Sequence, residues 1–500
     1  MKLEPKEALT PEETEAGLGI LVKQGLATQV KLTLTEGVFV VAFAILLGAP
    51  NTVVGILAAT PSLAQLLQIP SVYLLRRFRS RRMLNFLTTL GSRITILMMA
   101  LIPFVSTSET GLVLLVVLVA VQASFVAIGS PSWNSLLRDL VPEERLGSFF
   151  SRRMALMAAV AVVVSLLGGL FVSEWEHWNL GDPAYSFSAL FFMAFSAGLI
   201  SVYYITTLPE PKMAPIEKQA TFSELISKPY QDDNFRNLML FSGVWSFSTA
   251  LAAPFFTVYL LTRLLMDLSF VTVLSAITQI MSILFFRFWG RLSDRFANKS
   301  VLLVTVPLFM VGTLLWTFSS VAESISIILP FLILIHIIMG VSAAGVNLTS
   351  GNIGLKLAPR GQAASYLAAR GIIIAIAGAI APLVGGLLAD FFTGRHLFLT
   401  FNWEAPEGTI VFNTVDFSGL DFVFLISVVI GVYSHHRLAL VKEVGEVKEK
   451  DVIDAILSET RRNVRTLSTI DGLRQTFQAP LTTVRKALQK KKEPQRTTFE

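Results

Sequence analysis

The chain has 500 residues and a formal net charge of +6, but only 15% of its residues are charged and its mean hydropathy is +0.63. Soluble proteins carry roughly 25% charged residues, so the composition excludes an ordinary soluble enzyme and indicates a membrane protein. The sequence contains no cysteine, which excludes disulfides, thiolate metal sites and cysteine nucleophiles. We interpret the positive charge as loop residues facing a membrane leaflet, and we expect no nucleic-acid partner.

The segment 1–28 is polar and lacks the apolar core of a signal peptide. We therefore expect it to be a cytoplasmic segment. Thr10 followed by Pro11 is typical of a helix start, because threonine is a good N-cap and proline suits the first helical position. The sequence predicts a short helix here, outside the membrane.

Six apolar runs fall in residues 29–207 and six more in 235–438, on either side of a charged linker at 208–234. Each run approaches the ~20 residues that cross a bilayer. The sequence therefore predicts an all-α polytopic membrane protein with twelve transmembrane helices in two six-helix halves, followed by a cytoplasmic tail at 439–500. The runs lie near residues 32–48, 52–75, 83–105, 110–132, 153–173, 186–207, 236–261, 268–290, 300–319, 324–348, 368–389 and 420–438.

Lysine and arginine are concentrated in the breaks after the second, fourth, eighth and tenth runs, whereas the break after the fifth run holds Glu174, Glu176 and Asp182. Because positively charged loops remain cytoplasmic, both termini and the linker are predicted to be cytoplasmic, in a multi-pass protein of the inner cell membrane. The basic residues are Arg76, Arg77, Arg79, Arg81 and Arg82; Arg138 and Arg145; Arg291, Arg295 and Lys299; and Lys356 and Arg360.

The two halves repeat at a nearly constant offset. The segment VPEERLGSFFSRRM aligns with APRGQAASYLAARG, and matching proline, arginine and paired glycines at one offset indicate an internal duplication. After about residue 390 the alignment breaks, and a longer loop containing FNWEAPEGTIVFNT is expected to form a small external hairpin. The pairs at this offset are Pro142 with Pro359, Arg153 with Arg370, and Gly168 and Gly169 with Gly385 and Gly386.

The break after the eighth run reads GRLSDRFANK, and a degenerate copy, VYLLRRFRSR, lies at the equivalent place in the first half, Val72–Arg81. Together with the six-plus-six plan and the linker, this break resembles the loop signature of the major facilitator superfamily, over about residues 30–440. The resemblance implies two halves that rock about a central site lined by helices one, four, seven and ten. Gly290, Asp294, Arg295 and Lys299 match the signature, and Ala297 and Asn298 depart from it.

The resemblance also implies a gate on the cytoplasmic side, where Asp294 would lie against the start of helix five. There the carboxylate could accept from helix N-terminal amides and pair with Arg152 or Arg153. A loop acid that only shapes the turn is the alternative. In the first-half copy Arg76 replaces the acid, so we expect one working contact, not two. The predicted gating residues are Gly290, Asp294, Arg295, Arg152 and Arg153.

Three ionisable residues inside the apolar runs need a reason, because a charge at the bilayer centre costs at least about 2.5–3.5 kcal/mol. Arg93 is interpreted as part of a structural ion pair or as a site for an anionic group. Glu36 is a candidate proton carrier, with pairing to Arg93 or an interfacial position as alternatives. His336 suits a proton relay, solute binding or a buried neutral hydrogen bond. Gln122, Trp245 and Gln279 complete the candidate site.

No phosphate-binding loop, zinc spacing or nucleophile elbow occurs in the sequence, so we expect no enzyme, metal or cofactor. The favoured function is a secondary active transporter of a small organic solute, monomeric in the lipid bilayer and working by alternating access. Protons are the expected coupling ion, and the direction is left undecided between uptake and efflux. The alternative is a non-transporting sensor or scaffold that uses the bundle to position the tail.

Overall fold

The structure is a computed structural model, and over the residues that it describes it consists of helices and one β-hairpin. Several segments named in the sequence analysis lie outside the described residues. They are the loop residues Arg76 and Arg360, most of the linker and nearly all of the tail. The described residues are 9–68, 70–71, 74, 80–142, 145–175, 177–211, 228–319, 325–359, 362–406, 408–447 and 454.

The described helices fall into two sets, one in each half of the chain. In the first half they are α1 (Pro11–Thr35), α2 (Val38–Leu46), α3 (Asn51–Ala64, continued by the 3₁₀ turn Gln65–Leu67), α4 (Arg81–Val105), α5 (Ser108–Leu140), α6 (Leu146–Glu174) and α7 (Ala184–Thr207). In the second half they are α8 (Asp233–Val258, continued by the π turn Tyr259–Arg263), α9 (Leu268–Phe296), α10 (Asn298–Trp316), α11 (Ile325–Leu357), α12 (Ala363–Phe392) and α13 (Leu420–Ala439).

Eleven helical segments in the described part of the chain are long and apolar enough to cross a membrane. The first of them joins α1 and α2 over Pro11–Leu46. A shorter apolar helix, Asn51–Leu67, lies within the second predicted apolar run. The prediction of an all-α, multi-pass membrane protein with two six-helix halves is confirmed.

The predicted helix start at Thr10 and Pro11 is correct, but the helix is not short. Thr10 and Glu13 form a reciprocal capping box, with the Glu13 N–H donating to Thr10 Oγ1 over 3.2 Å. The helix then continues without a break to Thr35. Leu18 and Leu21 are buried against α5, so apolar packing carries the helix past the polar segment.

The loop before α13 forms the predicted hairpin. Strands β1 (His396–Ala405) and β2 (Gly408–Ser418) pair antiparallel, from His396 opposite Ser418 to Ala405 opposite Gly408. A register shift between Leu399 and Thr400 bends the ribbon. We call the end of the bundle that carries this hairpin the hairpin end. The opposite end, where α1 begins and α13 ends, is called the terminal end.

Glycine allows the two halves to approach closely at the hairpin end. A Cβ atom at Gly386 of α12 would lie 2.7 Å from the Asn51 carbonyl oxygen of α3, and one at Gly55 would overlap the Pro382 carbonyl oxygen. A Cβ atom at Gly169 of α6 would likewise overlap the Thr272 side chain of α9. Gly169 and Gly386 are partners in the sequence repeat. The duplication therefore places the same close contact on both sides of the bundle.

Apolar packing differs between the two ends. One buried cluster contains residues of both halves, including Phe43 and Phe191 with Phe255 and Phe424. At the terminal end the buried clusters of the described residues stay within one half, as around Leu136 in the first. The structure is thus closed between the halves at the hairpin end.

Candidate functional site

A cavity of about 730 Å³ lies between the two halves. Its walls are mostly apolar, and the polar side chains among its lining residues are few: Thr35, Glu36, Ser62, Gln65, Ser246 and Thr257. The lining comes from the first span, α3, α8 and α12, with Val119 of α5. Among the described lining residues none belongs to α11, so the expectation of a cavity lined by helices one, four, seven and ten is corrected. The close glycine contacts between α3 and α12 make these two helices a wall of the cavity.

The first span is broken where it faces this cavity. Helix α1 ends at Thr35 and α2 begins at Val38, and Gly37 between them has φ of 60°. Glycine adopts this left-handed conformation without the steric cost that a Cβ atom brings. Irregular backbone within a membrane is tolerated where it lines a cavity or is buried in protein. The break therefore places irregular backbone and the polar side chains of Thr35 and Glu36 at the cavity wall.

Glu36 lies at this break and forms an ion pair with Lys31. The Lys31 Nζ donates to Glu36 Oε1 over 3.0 Å. Lys31 is fully buried, whereas 53% of the Glu36 side chain is exposed. Sequence reasoning found Glu36 but missed Lys31. The signal was present, because a lysine five positions before an acid within an apolar run needs a partner.

Arg93 is buried in the first half and is not hydrogen-bonded to Glu36. Its guanidinium donates to Ser92 Oγ and to Ser201 Oγ of α7, each over 3.3 Å. Glu36 is still close enough to interact with Arg93 electrostatically. The expected direct pairing of Arg93 with an acid is therefore corrected, since serine hydroxyls take that place.

The other predicted site residues do not line the cavity. His336 lies inside the second half, where its Nδ1 is 2.8 Å from Thr278 Oγ1 and its ring packs against Trp316. Trp245 packs against Phe309, with ring centroids 5.4 Å apart. Gln122 is buried in α5, and Gln279 is half-buried in α9. The structure thus brings only Glu36, of the six predicted residues, to the described lining of the cavity.

Asp294 is exposed near the terminal end of α9, where it lines an open depression of about 570 Å³ together with Gly290. No ion pair joins it to Arg152 or Arg153 among the described residues. Arg153 instead donates to the Leu21 carbonyl oxygen over 3.2 Å and to Gln24 Oε1 over 3.3 Å, both in α1. The prediction that Arg153 pairs with Asp294 is therefore wrong for this conformation.

The repeat partner of Arg153 confirms this structural role. Arg370 donates to Ser242 Oγ of α8 over 2.7 Å and to Ser350 Oγ over 2.6 Å. Each arginine thus ties the fifth span of its half to the first span of the same half. Of the other predicted gating residues, Arg152 is exposed and Arg295 stacks on Phe296. A Cβ atom at Gly290 would meet only Leu348, at 3.7 Å.

A buried charge cluster joins three segments of the first half at the terminal end. Arg81, at the start of α4, pairs with Asp139 and lies 3.7 Å from Glu210. The Arg81 N–H also donates to Glu210 Oε1 over 2.6 Å, so the acid caps α4. Glu210 had been assigned to the linker, where sequence reasoning gave it no role.

The second half has an equivalent cluster. The Lys299 N–H donates to Glu443 Oε2 over 2.7 Å, and Lys356 Nζ lies 2.9 Å from Glu443 Oε1. Burial acts to raise the pKa of Glu443, but hydrogen bonds from Lys356, Lys299 and Asn298 outweigh it, so the pKa lies below the ordinary glutamate value. Arg81 and Lys299 are the last residues of the two copies of the signature break, so both clusters lie at the same point of the repeat.

Known proteins share this architecture. The family model described as Major Facilitator Superfamily matches residues 28–382. Among solved structures, the nucleoside transporter NupG superposes with a TM-score of 0.60 at 12% identity, covering 86% of this chain and 98% of that one. A bacterial homologue of the human lysosomal transporter Spinster gives 0.60 at 13% identity, covering 87% and 97%. At these identities the likeness shows the fold.

Curated relatives match over shorter stretches. An MFS-type transporter of Aspergillus terreus is 27% identical over 122 residues, which is 24% of this chain and 21% of the relative. A rubrofusarin-specific efflux pump of Gibberella zeae is 31% identical over 110 residues, 22% of this chain and 19% of the relative. The chain thus spans about a fifth of the length of these relatives. Because the family model covers most of its length, this integral membrane protein belongs to the Major Facilitator Superfamily.

Proposed function

We propose that the protein is a secondary active transporter of a small organic solute that works by alternating access. The observation that carries the proposal is the Glu36 carboxylate, which lies in the cavity between the halves at the break in the first span. A site at the interface of two repeats, built around an interrupted helix, suits a solute that must be reached from each side in turn.

The lining favours a largely apolar solute with one polar or charged group. Valine, leucine, alanine, isoleucine and proline side chains form most of the cavity wall, and they would contact the apolar part. Thr35, Glu36 and Ser246 would orient the polar group. Relatives named as efflux pumps and a structural neighbour named as a nucleoside transporter provide two solute classes to test.

Proton coupling would act through the Lys31–Glu36 pair. Protonation of Glu36 removes the partner of the Lys31 ammonium, which is fully buried. An unpaired buried charge is costly, so proton binding would favour a rearrangement of the first span. The half-exposed position of Glu36 gives cavity water access to the carboxylate. The coupling site would therefore be the solute site itself.

The positive loops support a cytoplasmic terminal end, so the described conformation would be closed to the outside. Asp294 and Arg152 are exposed on α9 and α6 near this end. We propose that they approach each other when the terminal end closes, with Arg295 and Gly290 shaping the turn. Arg153 stays bound to α1 in this scheme.

The test is a proton-flux assay in proteoliposomes that contain a trapped pH-sensitive dye. A panel of lipophilic fluorescent dyes and nucleosides is added under a pH step, and solute-dependent proton movement is expected for at least one class. Glu36→Gln should abolish that movement, whereas Glu109→Gln, at an exposed acid at the start of α5, should leave it unchanged. Solute flux without proton movement would refute coupling, and flux that survives removal of residues 448–500 would argue against a purely tail-directed role.

A further inference from the structure

Asp390 of α12 caps a helix of the opposite half. Its Oδ1 accepts from the Asn51 N–H and from Asn51 Nδ2, each over 3.0 Å. Its Oδ2 accepts from the Thr52 N–H over 2.8 Å and from the Thr52 hydroxyl. One carboxylate of the second half thus satisfies the first two N–H groups of α3 in the first half.

Helix α3 has no cap of its own. Its N-cap residue is Pro50, which provides no side-chain acceptor. The first N–H groups of a helix need an outside partner, and a carboxylate there also complements the helix dipole. The partner is Asp390, which belongs to the other half of the chain. The N-terminus of α3 is therefore capped by a residue of the other half and not by its own local sequence.

The same contact occurs a second time, with a weaker group. Ser173, near the end of α6, accepts from the Ser269 N–H at the start of α9 over 3.0 Å. The residue before α9, Asp267, makes no side-chain cap of its own. Ser173 corresponds to Asp390 in the sequence repeat, and Thr52 corresponds to Ser269 in the same alignment. The duplication thus supplies two inter-half caps, one by a carboxylate and one by a hydroxyl.

We propose that Asp390 is the main residue that holds the hairpin end closed, and that Ser173 is its weaker counterpart. This inference rests on the proposed alternating access, because the two caps exist only while the halves meet at this end. Four hydrogen bonds to a carboxylate stabilise the α3–α12 side, and one hydrogen bond to a hydroxyl stabilises the α6–α9 side. Charged acceptors form the stronger bonds. Closure of the hairpin end is therefore asymmetric.

The asymmetry is opposite to that of the signature loops at the terminal end. There the acid, Asp294, belongs to α9, and the equivalent residue after α3 is Arg76 in the sequence. The α3–α12 pair would thus be held at the hairpin end, and the α6–α9 pair at the terminal end. Each pair would open at the end where it lacks the carboxylate.

The experiment measures distances between pairs of spin labels by electron paramagnetic resonance. The chain has no cysteine, so labels can be introduced without removing natural residues. A pair at Glu109 and Leu265 reports on the hairpin end, and a pair at Arg138 and Leu355 reports on the terminal end; all four positions are exposed. Purified protein in lipid nanodiscs is measured without added solute, so the result does not depend on knowing the substrate.

Asp390→Asn and Asp390→Ser should each raise the fraction that is open at the hairpin end by a factor of roughly 3 to 10, the size expected for loss of a helix cap. Ser173→Asp should lower that fraction. Asp182→Asn is the matched control, because Asp182 caps α7 within its own half, accepting from the Ala184 N–H over 2.8 Å. It should leave both distances unchanged.

Unchanged hairpin-end distances in both Asp390 variants, or an equal shift in Asp182→Asn, would overturn the proposal. Thermal unfolding of each variant establishes folding first. If Asp390→Ser does not fold, Asp390→Asn, which keeps the side-chain shape, decides the matter. A wild-type protein that opens at both ends while the Asp390 variants do not differ from it would refute this role of Asp390 and leave alternating access standing.

Discussion

The Glu36 carboxylate and the Lys31 ammonium lie 3.0 Å apart, but they face different surroundings. Lys31 is fully buried in α1, while half of Glu36 is exposed at the break in the first span. Removing one member therefore does not have the same effect as removing the other. The acid can be solvated by the cavity, and the lysine cannot.

This difference predicts unequal losses of stability. Glu36→Gln leaves a buried ammonium without its counter-charge and should lower the free energy of unfolding by about 1–3 kcal/mol, below the value for fully buried pairs because Glu36 is half exposed. Lys31→Met should cost less, and the double variant should recover part of the loss. Thermal unfolding in detergent measures all three. Equal losses for the two single variants would contradict the argument.

The close approach at Gly55 allows a steric test of how the two halves meet at the hairpin end. Gly55→Ala would place a Cβ atom against the Pro382 carbonyl oxygen of the other half. This oxygen belongs to the backbone of α12, so it cannot move aside as a flexible side chain would. The hairpin end should open, and the distance between spin labels at positions 109 and 265 should increase. Gly371→Ala is the control, since a Cβ atom there meets nothing within 4 Å and α12 should tolerate it. Normal closure in Gly55→Ala would show that the helices can shift.

Glu443 predicts a pH dependence. Its pKa is depressed in the folded protein, because its hydrogen bonds outweigh its burial, so its contribution to stability is present above the unfolded pKa and is lost as the pH falls through the folded pKa. Unfolding temperatures measured from pH 7 down to about pH 3 should therefore fall more steeply in the wild type than in Glu443→Gln. Glu404→Gln, on the hairpin, should follow the wild-type curve. Parallel curves for wild type and Glu443→Gln would contradict the prediction.

Replacing Arg81 should lower the stability of the protein, and lysine at this position should not restore it fully. Its guanidinium is fully buried and contacts Asp139, Ser135 and the Pro211 carbonyl oxygen at once. Arg81→Met leaves the acids unpaired and should cost about 3–5 kcal/mol. Arg81→Lys should restore only part of this, because an ammonium cannot reproduce the planar fork. Urea or thermal unfolding of the Arg81 variants measures these losses. Arg138→Lys, at an exposed position, is the control and should leave the stability unchanged. Full rescue by lysine would show that charge alone is sufficient.

The candidate site was predictable only where one residue carried the signal. Glu36 stood out because an acid in an apolar run is costly, and it does lie in the cavity. The same reasoning selected His336, and Trp245 was added as a further donor, yet both side chains pack inside the second half. A sequence gives the spacing along a helix but not which neighbour each face meets. Arg153 shows the same limit, since its guanidinium points to α1 rather than to Asp294.

By itself the sequence determined the class, the six-plus-six plan and the repeat, because membrane-spanning length, loop charge and matched glycines are written along the chain. It also determined the helix start at Thr10 and the hairpin after α12, which depend on local residues. Only the tertiary structure decided that Lys31 pairs with Glu36, that Glu210 and Glu443 cap helices, and that Asp390 caps α3 across the interface. Those contacts join groups whose meeting no local pattern specifies, and their energies depend on burial and geometry that the packing of helices creates.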